Sequence, residues 1–261
     1  MYQKIGLPAL CLVVLLTSCA KVYTPALYHQ DIAYQPKPAS FDTVKSATYL
    51  SGGINFYSNP NLADFVVSTQ FNLSQGYVFD HFNLAYGAFG VLGDYQNGAI
   101  NAGQPYYFND KFFGAVGGRA SVNAFVNSGR VDFRYIGMEV AYSHEFGDYV
   151  NFRNAVNGQP DFYTDTRTDL FTIGLTTEVI FHNVNNVGFQ HGIRGFIGTT
   201  LGSNHLDNTL YAGDTPSDRL FRNIFPKASY FIKFKHYFAT FEVGTTFLPG
   251  LALSFNFLCY A

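Results

Sequence analysis

The chain has 261 residues, 48% of them hydrophobic and only 13% charged, with a formal net charge of −2. An ordinary soluble domain carries about 25% charged residues, so a well-solvated charged shell is excluded. The near-neutral balance gives no basis for a nucleic-acid partner or a polybasic membrane patch. Aromatics reach 18%, as 28 Phe and 19 Tyr with no Trp. The length suits one all-β domain, and no later run of about 18 apolar residues offers a membrane-spanning helix.

At the N-terminus, Lys4 supplies a positive start, Ile5 to Leu16 form an apolar run broken by Pro8, and small residues follow. That is the layout of a secretory signal peptide. The run is too short for a spanning helix, which needs about 20 residues. Leu16-Thr17-Ser18-Cys19 resembles the bacterial lipobox. The resemblance implies a lipoprotein signal peptide over 1–18, with Cys19 the lipid attachment site: diacylated on sulfur, then acylated again on its new amine, for example by palmitate. Ala20 follows, where the family uses Asp for inner-membrane retention, so the implied address is the cell outer membrane. The alternatives are an ordinary signal peptide with a chance cysteine, or an uncleaved anchor. Cys11 leaves with the signal and Cys259 stands alone, so an exported chain of this kind does not rely on disulfides.

Residues 19–46 read as an extended, lipidated tether, because Tyr23-Thr24-Pro25 and Tyr34-Gln35-Pro36-Lys37-Pro38 disfavour helix. Val22, Tyr23, Leu27, Tyr28 and Tyr34 make it too apolar for a plain linker. They could lie against another surface or plug a lumen. The Tyr- and Pro-rich start after the cysteine resembles that of many Bacteroidota outer-membrane proteins.

From Ala47 to Ala261 the chain is a series of period-two segments separated by turn residues, ten in all: about 48–58, 64–75, 80–92, 112–126, 130–144, 168–181, 188–202, 224–235, 237–247 and 250–260. Connections after the second, fourth, sixth and eighth are tight. Those over about 93–111, 145–167 and 203–223 are long and polar. Short turns on one side and long loops on the other are the layout of an outer-membrane β-barrel. The expected fold is therefore a single transmembrane, antiparallel, up-and-down barrel of about ten strands, with eight or twelve the neighbouring even counts. An even count leaves both termini on the short-turn, periplasmic side, from which Cys19 would reach the inner leaflet.

The alternation assigns faces. Phe65, Val67, Thr69, Phe71 and Leu73 oppose Ser68, Gln70, Asn72 and Ser74. Phe171, Ile173, Leu175, Val179 and Phe181 oppose Thr172, Gly174, Thr176 and Glu178. Leu251, Leu253, Phe255 and Phe257 oppose Ser254 and Asn256. Charges on the polar faces belong inside, since one facing lipid at mid-depth costs about 2–4 kcal/mol. Arg119 and Glu139 are equidistant from the Ser128–Gly129 turn, and Glu178 and Arg194 from the turn near Asn186, so each couple is expected as a cross-strand lumen ion pair. Lys233 and Glu242 could meet only diagonally. Such pairs serve as a structural core or as a selectivity ring. A ten-stranded barrel is only slightly wider than one that side chains fill, so an open pore is not expected.

The segment Leu251 to Phe257 resembles the C-terminal assembly signal of outer-membrane barrels, although Leu258 to Ala261 follow it. Some barrels of this size are proteases or lipid A-modifying enzymes with residues on the outer rim. Rim candidates here are His144 and Glu145, and His205 and Asp207, at spacings that match no catalytic motif. His182 and His191 lack further ligands at metal spacing. Gly114-Ala115-Val116-Gly117-Gly118 lacks the lysine of a phosphate loop, and its glycines fit curvature or room for aromatics. A lipocalin-like soluble barrel would need a charged outer face, which the low charge opposes. No catalytic, cofactor or metal residue is assigned. The expected role is structural or accessory, non-enzymatic, with outer-membrane lipid and protein components of a membrane complex as partners. A rim enzyme or a narrow pore is the alternative.

Overall fold

The computed structural model describes residues 21–58, 63–183, 186–202, 223–235, 237–245 and 251–260, with the backbone alone at 183, 186–187 and 251–260. The signal peptide and Cys19 lie outside these residues, as do His205 and Asp207. A short β1 (Lys21–Tyr23) opens the chain, and β2 (Ser46–Ser58) begins the barrel. Then come β3 (Phe65–Val78), β4 (Phe82–Gln96), β5 (Asp110–Ser128) and β6 (Val131–Phe146). A helix α1 (Asp148–Val156) and a short β7 (Phe162–Thr164) interrupt before β8 (Asp169–Asn183) and β9 (Asn186–Thr200). The last three strands are β10 (Ile224–Phe234), β11 (Tyr237–Thr245) and β12 (Leu251–Tyr260).

Ten of these strands close an antiparallel barrel in sequence order, β12 pairing with β2 and β9 with β10. The ten expected segments coincide with them, although several run further toward the long loops, β5 reaching 19 residues. Closure leaves no sheet edge, which is what a hydrocarbon environment requires of backbone amides. The faces follow the pleat. Phe71, Leu73, Leu175 and Ile193 are more than half exposed on the outside, while Ser68, Gln70, Thr172 and Glu178 are buried within. Polar groups inside and apolar groups outside invert the arrangement of a water-soluble domain, and mark a barrel that crosses a membrane with strands. Toward the short turns, aromatic rings gather as expected of an interface girdle, Tyr77 against Tyr86 at 6.1 Å and Phe79 against Phe82 at 4.5 Å. The faces expected for Leu251 to Phe257 concern side chains outside the described set.

Two features depart from strict alternation. In β6 a bulge inserts an extra residue between Arg134 and Gly137, so Arg134 and Glu139 both point inward. The loop between β6 and β8, expected to be long and polar, carries α1, whose buried residues Tyr149, Phe152, Arg153 and Val156 recur at helical spacing. Asp148 in its first turn and Arg153 in its last complement the helix dipole.

Candidate functional site in the barrel lumen

The lumen is occupied by residues 21–42 of the tether, which settles between the two placements left open by the sequence. Nearly every residue from Val22 to Ala39 is buried. At the long-loop end, β1 pairs in parallel with β7, and Lys21 N donates to Asp161 O at 2.9 Å. Below it, Tyr23 packs edge-on against Phe152 at 5.0 Å, and Val22, Ala26 and Leu27 join an apolar cluster with Tyr95, Phe113 and Tyr149. Burial holds the Tyr149 hydroxyl well above the usual phenol range, so it stays protonated and donates to Thr24 O at 2.8 Å. Ala26 N donates to Glu145 at 2.7 Å, and the other Glu145 oxygen takes the Arg153 guanidinium.

The middle of the lumen is ionic, and its charges grip the tether. Arg119 Nε donates to Asp31 O at 2.5 Å, and Thr172 Oγ1 to Asp31 Oδ2 at 2.9 Å. Lys227 Nζ donates to Ile32 O at 2.7 Å. Tyr34 N meets both Glu242 oxygens at 3.1 Å, and Tyr34 Oη donates to Glu178 at 2.6 Å. The Tyr34 ring stacks on Phe231 and Phe238, with centroids 5.0 and 5.4 Å away. Toward the short turns, Arg134 donates to Pro38 O at 3.0 Å, Ser40 N to Asp132 at 2.8 Å, and Lys233 to Asp42 at 2.8 Å. The tether therefore descends the full height of the barrel before turning into β2.

The strand ends Ser46 and Tyr260 both lie at the short-turn end, as expected for an even count. The tether does not stay with them. Its first described residue, Lys21, sits at the opposite mouth, a correction to the expectation that both termini share one side. The tether's backbone carbonyls and amides supply hydrogen-bond partners to several of the inward charges, and withdrawing it would leave those bonds unmade.

The four expected lumen charges are all buried, but their partners are exchanged. Glu178 and Arg194 are direct cross-strand neighbours, as expected. Yet Arg194 binds Glu139 with two nitrogens, the Nε contact being 3.0 Å, and approaches Glu242 at 3.8 Å. Glu178 instead takes Arg134 at 2.7 Å, its neighbour on the other side. Arg119 faces Ala141 rather than Glu139, because the β6 bulge and the true turn shift the register. Its guanidinium binds Asn72 at 2.7 Å and lies 3.8 Å over the Phe89 ring. A Cβ at Gly117 would fall 2.6 Å from that ring, so the glycine keeps the place of the aromatic that Arg119 covers. Lys233 and Glu242 do not meet, since each is engaged by the tether.

The two described rim candidates do not converge. Adjacent on β6, His144 and Glu145 face opposite ways: Glu145 inward to Arg153, His144 outward to Asp169 at 3.0 Å. Asp169 also accepts from Tyr142 Oη at 2.5 Å. On the outer wall, an apolar groove of about 660 Å³ crosses several strands over Ala88, Gly118 and Ala120, between Leu73, Tyr86 and Tyr142.

No protein-family model matches the chain, and no curated protein matches it. Among solved structures, the transport unit of the autotransporter AIDA-I from Escherichia coli is 9% identical over 90% of this chain and 95% of that one, with a TM-score of 0.41. An outer-membrane channel from Pseudomonas putida F1 is 9% identical over 87% and 100%, at 0.38. Neisserial surface protein A is 11% identical over 82% and 96%, at 0.35. At this level of identity and overlap, none of them bears on what the chain does.

Proposed function

We propose that the chain is an outer-membrane β-barrel lipoprotein with a structural or accessory role in a membrane complex, closed to solute flow by its own tether. The observation that carries this reading is the tether-filled lumen. Among the described residues, Arg119, Lys227, Glu178, Arg134 and Arg194, the charges an enzyme or selectivity ring would use there, already bind the tether or another wall residue. His144 and Glu145, the rim couple read from the sequence, face opposite ways, and His144 meets Asp169 on the outer wall instead.

Purification from native membranes in mild detergent, with mass spectrometry of what accompanies the barrel, tests this. Stoichiometric protein partners are expected, and the purified barrel should show no conductance in planar bilayers. A partner-free monomer that conducts steadily would replace this reading with a narrow pore.

A further inference from the structure

We infer that the N-terminal lipid sits in the outer leaflet, at the long-loop face, with the tether behind it laid through the barrel's own lumen. This rests on the lipoprotein reading of Cys19 and adds the side on which the lipid inserts. Cys19 lies two residues before Lys21, a reach of at most about 7 Å. Lys21 is fixed at the long-loop end by its backbone bond to Asp161 and by the β1–β7 pairing. In barrels of this type the long loops face the cell exterior. The hydrocarbon core is about 30 Å thick, so a lipid on Cys19 cannot reach the other leaflet while the tether stays in place. Withdrawing the tether would strip partners from Arg119, Lys227, Glu178 and Glu242 together. Acyl chains do not remain in water, and the bilayer surface within reach is the outer one. An aromatic lip marks the way out: the Lys21 ammonium lies 5.2 Å over the Phe162 ring, which meets Tyr106 at 5.6 Å beside exposed Tyr107. Aromatic rings of this kind settle at headgroup level.

The test has two readouts on the full-length protein in cells. Lys21→Cys, in a Cys259→Ser background, is labelled with a membrane-impermeant maleimide before and after permeabilisation. Asn154→Cys on α1 and Ser128→Cys at a short turn serve as outer and inner controls. The N-terminal peptide is weighed for acylation of Cys19. Expected are an acylated Cys19 and labelling of residue 21 in intact cells to the level of the outer control. An acylated protein labelled at 21 only after permeabilisation overturns the threaded route and leaves the lipoprotein reading standing. Labelling in intact cells with no acylation overturns the lipid and leaves the route. Outer labelling of the Ser128 variant in place of the Asn154 variant overturns the orientation. An epitope inserted between Ala20 and Lys21, read by antibody on intact cells, answers the same question if Lys21→Cys fails to fold.

Discussion

Arg134 shows how single residues hold this interior together. Its guanidinium is fully buried and bonds one partner from the wall, Glu178, and one from the tether, Pro38 O. Removing one member of a buried ion pair strands the other, at about 3–5 kcal/mol. Arg134→Ala should therefore lower the unfolding free energy in detergent by about that amount, read from urea titration. Arg134→Met with Glu178→Gln removes the Glu178 charge and keeps an acceptor for Tyr34, so part of the loss should return, the remainder reporting the buried Asp132 carboxylate 4.0 Å from Arg134. The sequence did not reveal Arg134, because strict alternation puts it on the face opposite Glu139. One bulged residue reverses that parity, and bulges leave no period-two signature. The exchanged partners of Arg194 have a related cause. Inside a narrow lumen a guanidinium reaches carboxylates on strands beyond its neighbours, so pair register alone does not choose among Glu178, Glu139 and Glu242.

At the scale of elements, strands were legible and the tether's route was not. Strands must present one face to lipid and one to the interior, and this writes a period of two along the chain. The tether is buried on all sides in extended and turn conformations, so it carries no period at all. Helix α1 did leave a trace in Tyr149, Phe152, Arg153 and Val156, but a buried arginine among them conceals the apolar stripe. Deleting residues 20–42 should leave a barrel that inserts but conducts in planar bilayers, because Arg119, Lys227, Glu178 and Glu242 would then line an aqueous space. An unchanged, silent bilayer would show that side chains alone shut the lumen. Tyr34→Ala is the milder probe. It removes a ring stacked on Phe231 and Phe238 and a hydroxyl bonded to Glu178, and should cost about 3–5 kcal/mol as large aromatic truncations in a core do.

At the scale of the molecule, the inverted polarity dictates where substitutions are tolerated. Leu175 stands at the middle of β8 and is 55% exposed on the outer wall. Leu175→Arg should therefore cost about 2–4 kcal/mol in lipid vesicles, and much less for an arginine placed near either rim. Equal costs at both depths would mean that the outer wall does not face hydrocarbon.

The descent of the tether through the ring also imposes an order on assembly. A barrel is closed by hydrogen bonds rather than by covalent links, and its last seam joins β12 to β2. On the lipoprotein reading of Cys19, the chain end bears three fatty acids, a stopper too bulky to be drawn through a ring already shut. The sheet must therefore curl around the thread, and the β12–β2 seam must close after the tether is laid inside. Once it has closed, the strands form a collar around their own tether, with the barrel as the knot at one end and, on that same reading, the lipid as the knot at the other. Such a chain can release its tether only by opening the seam.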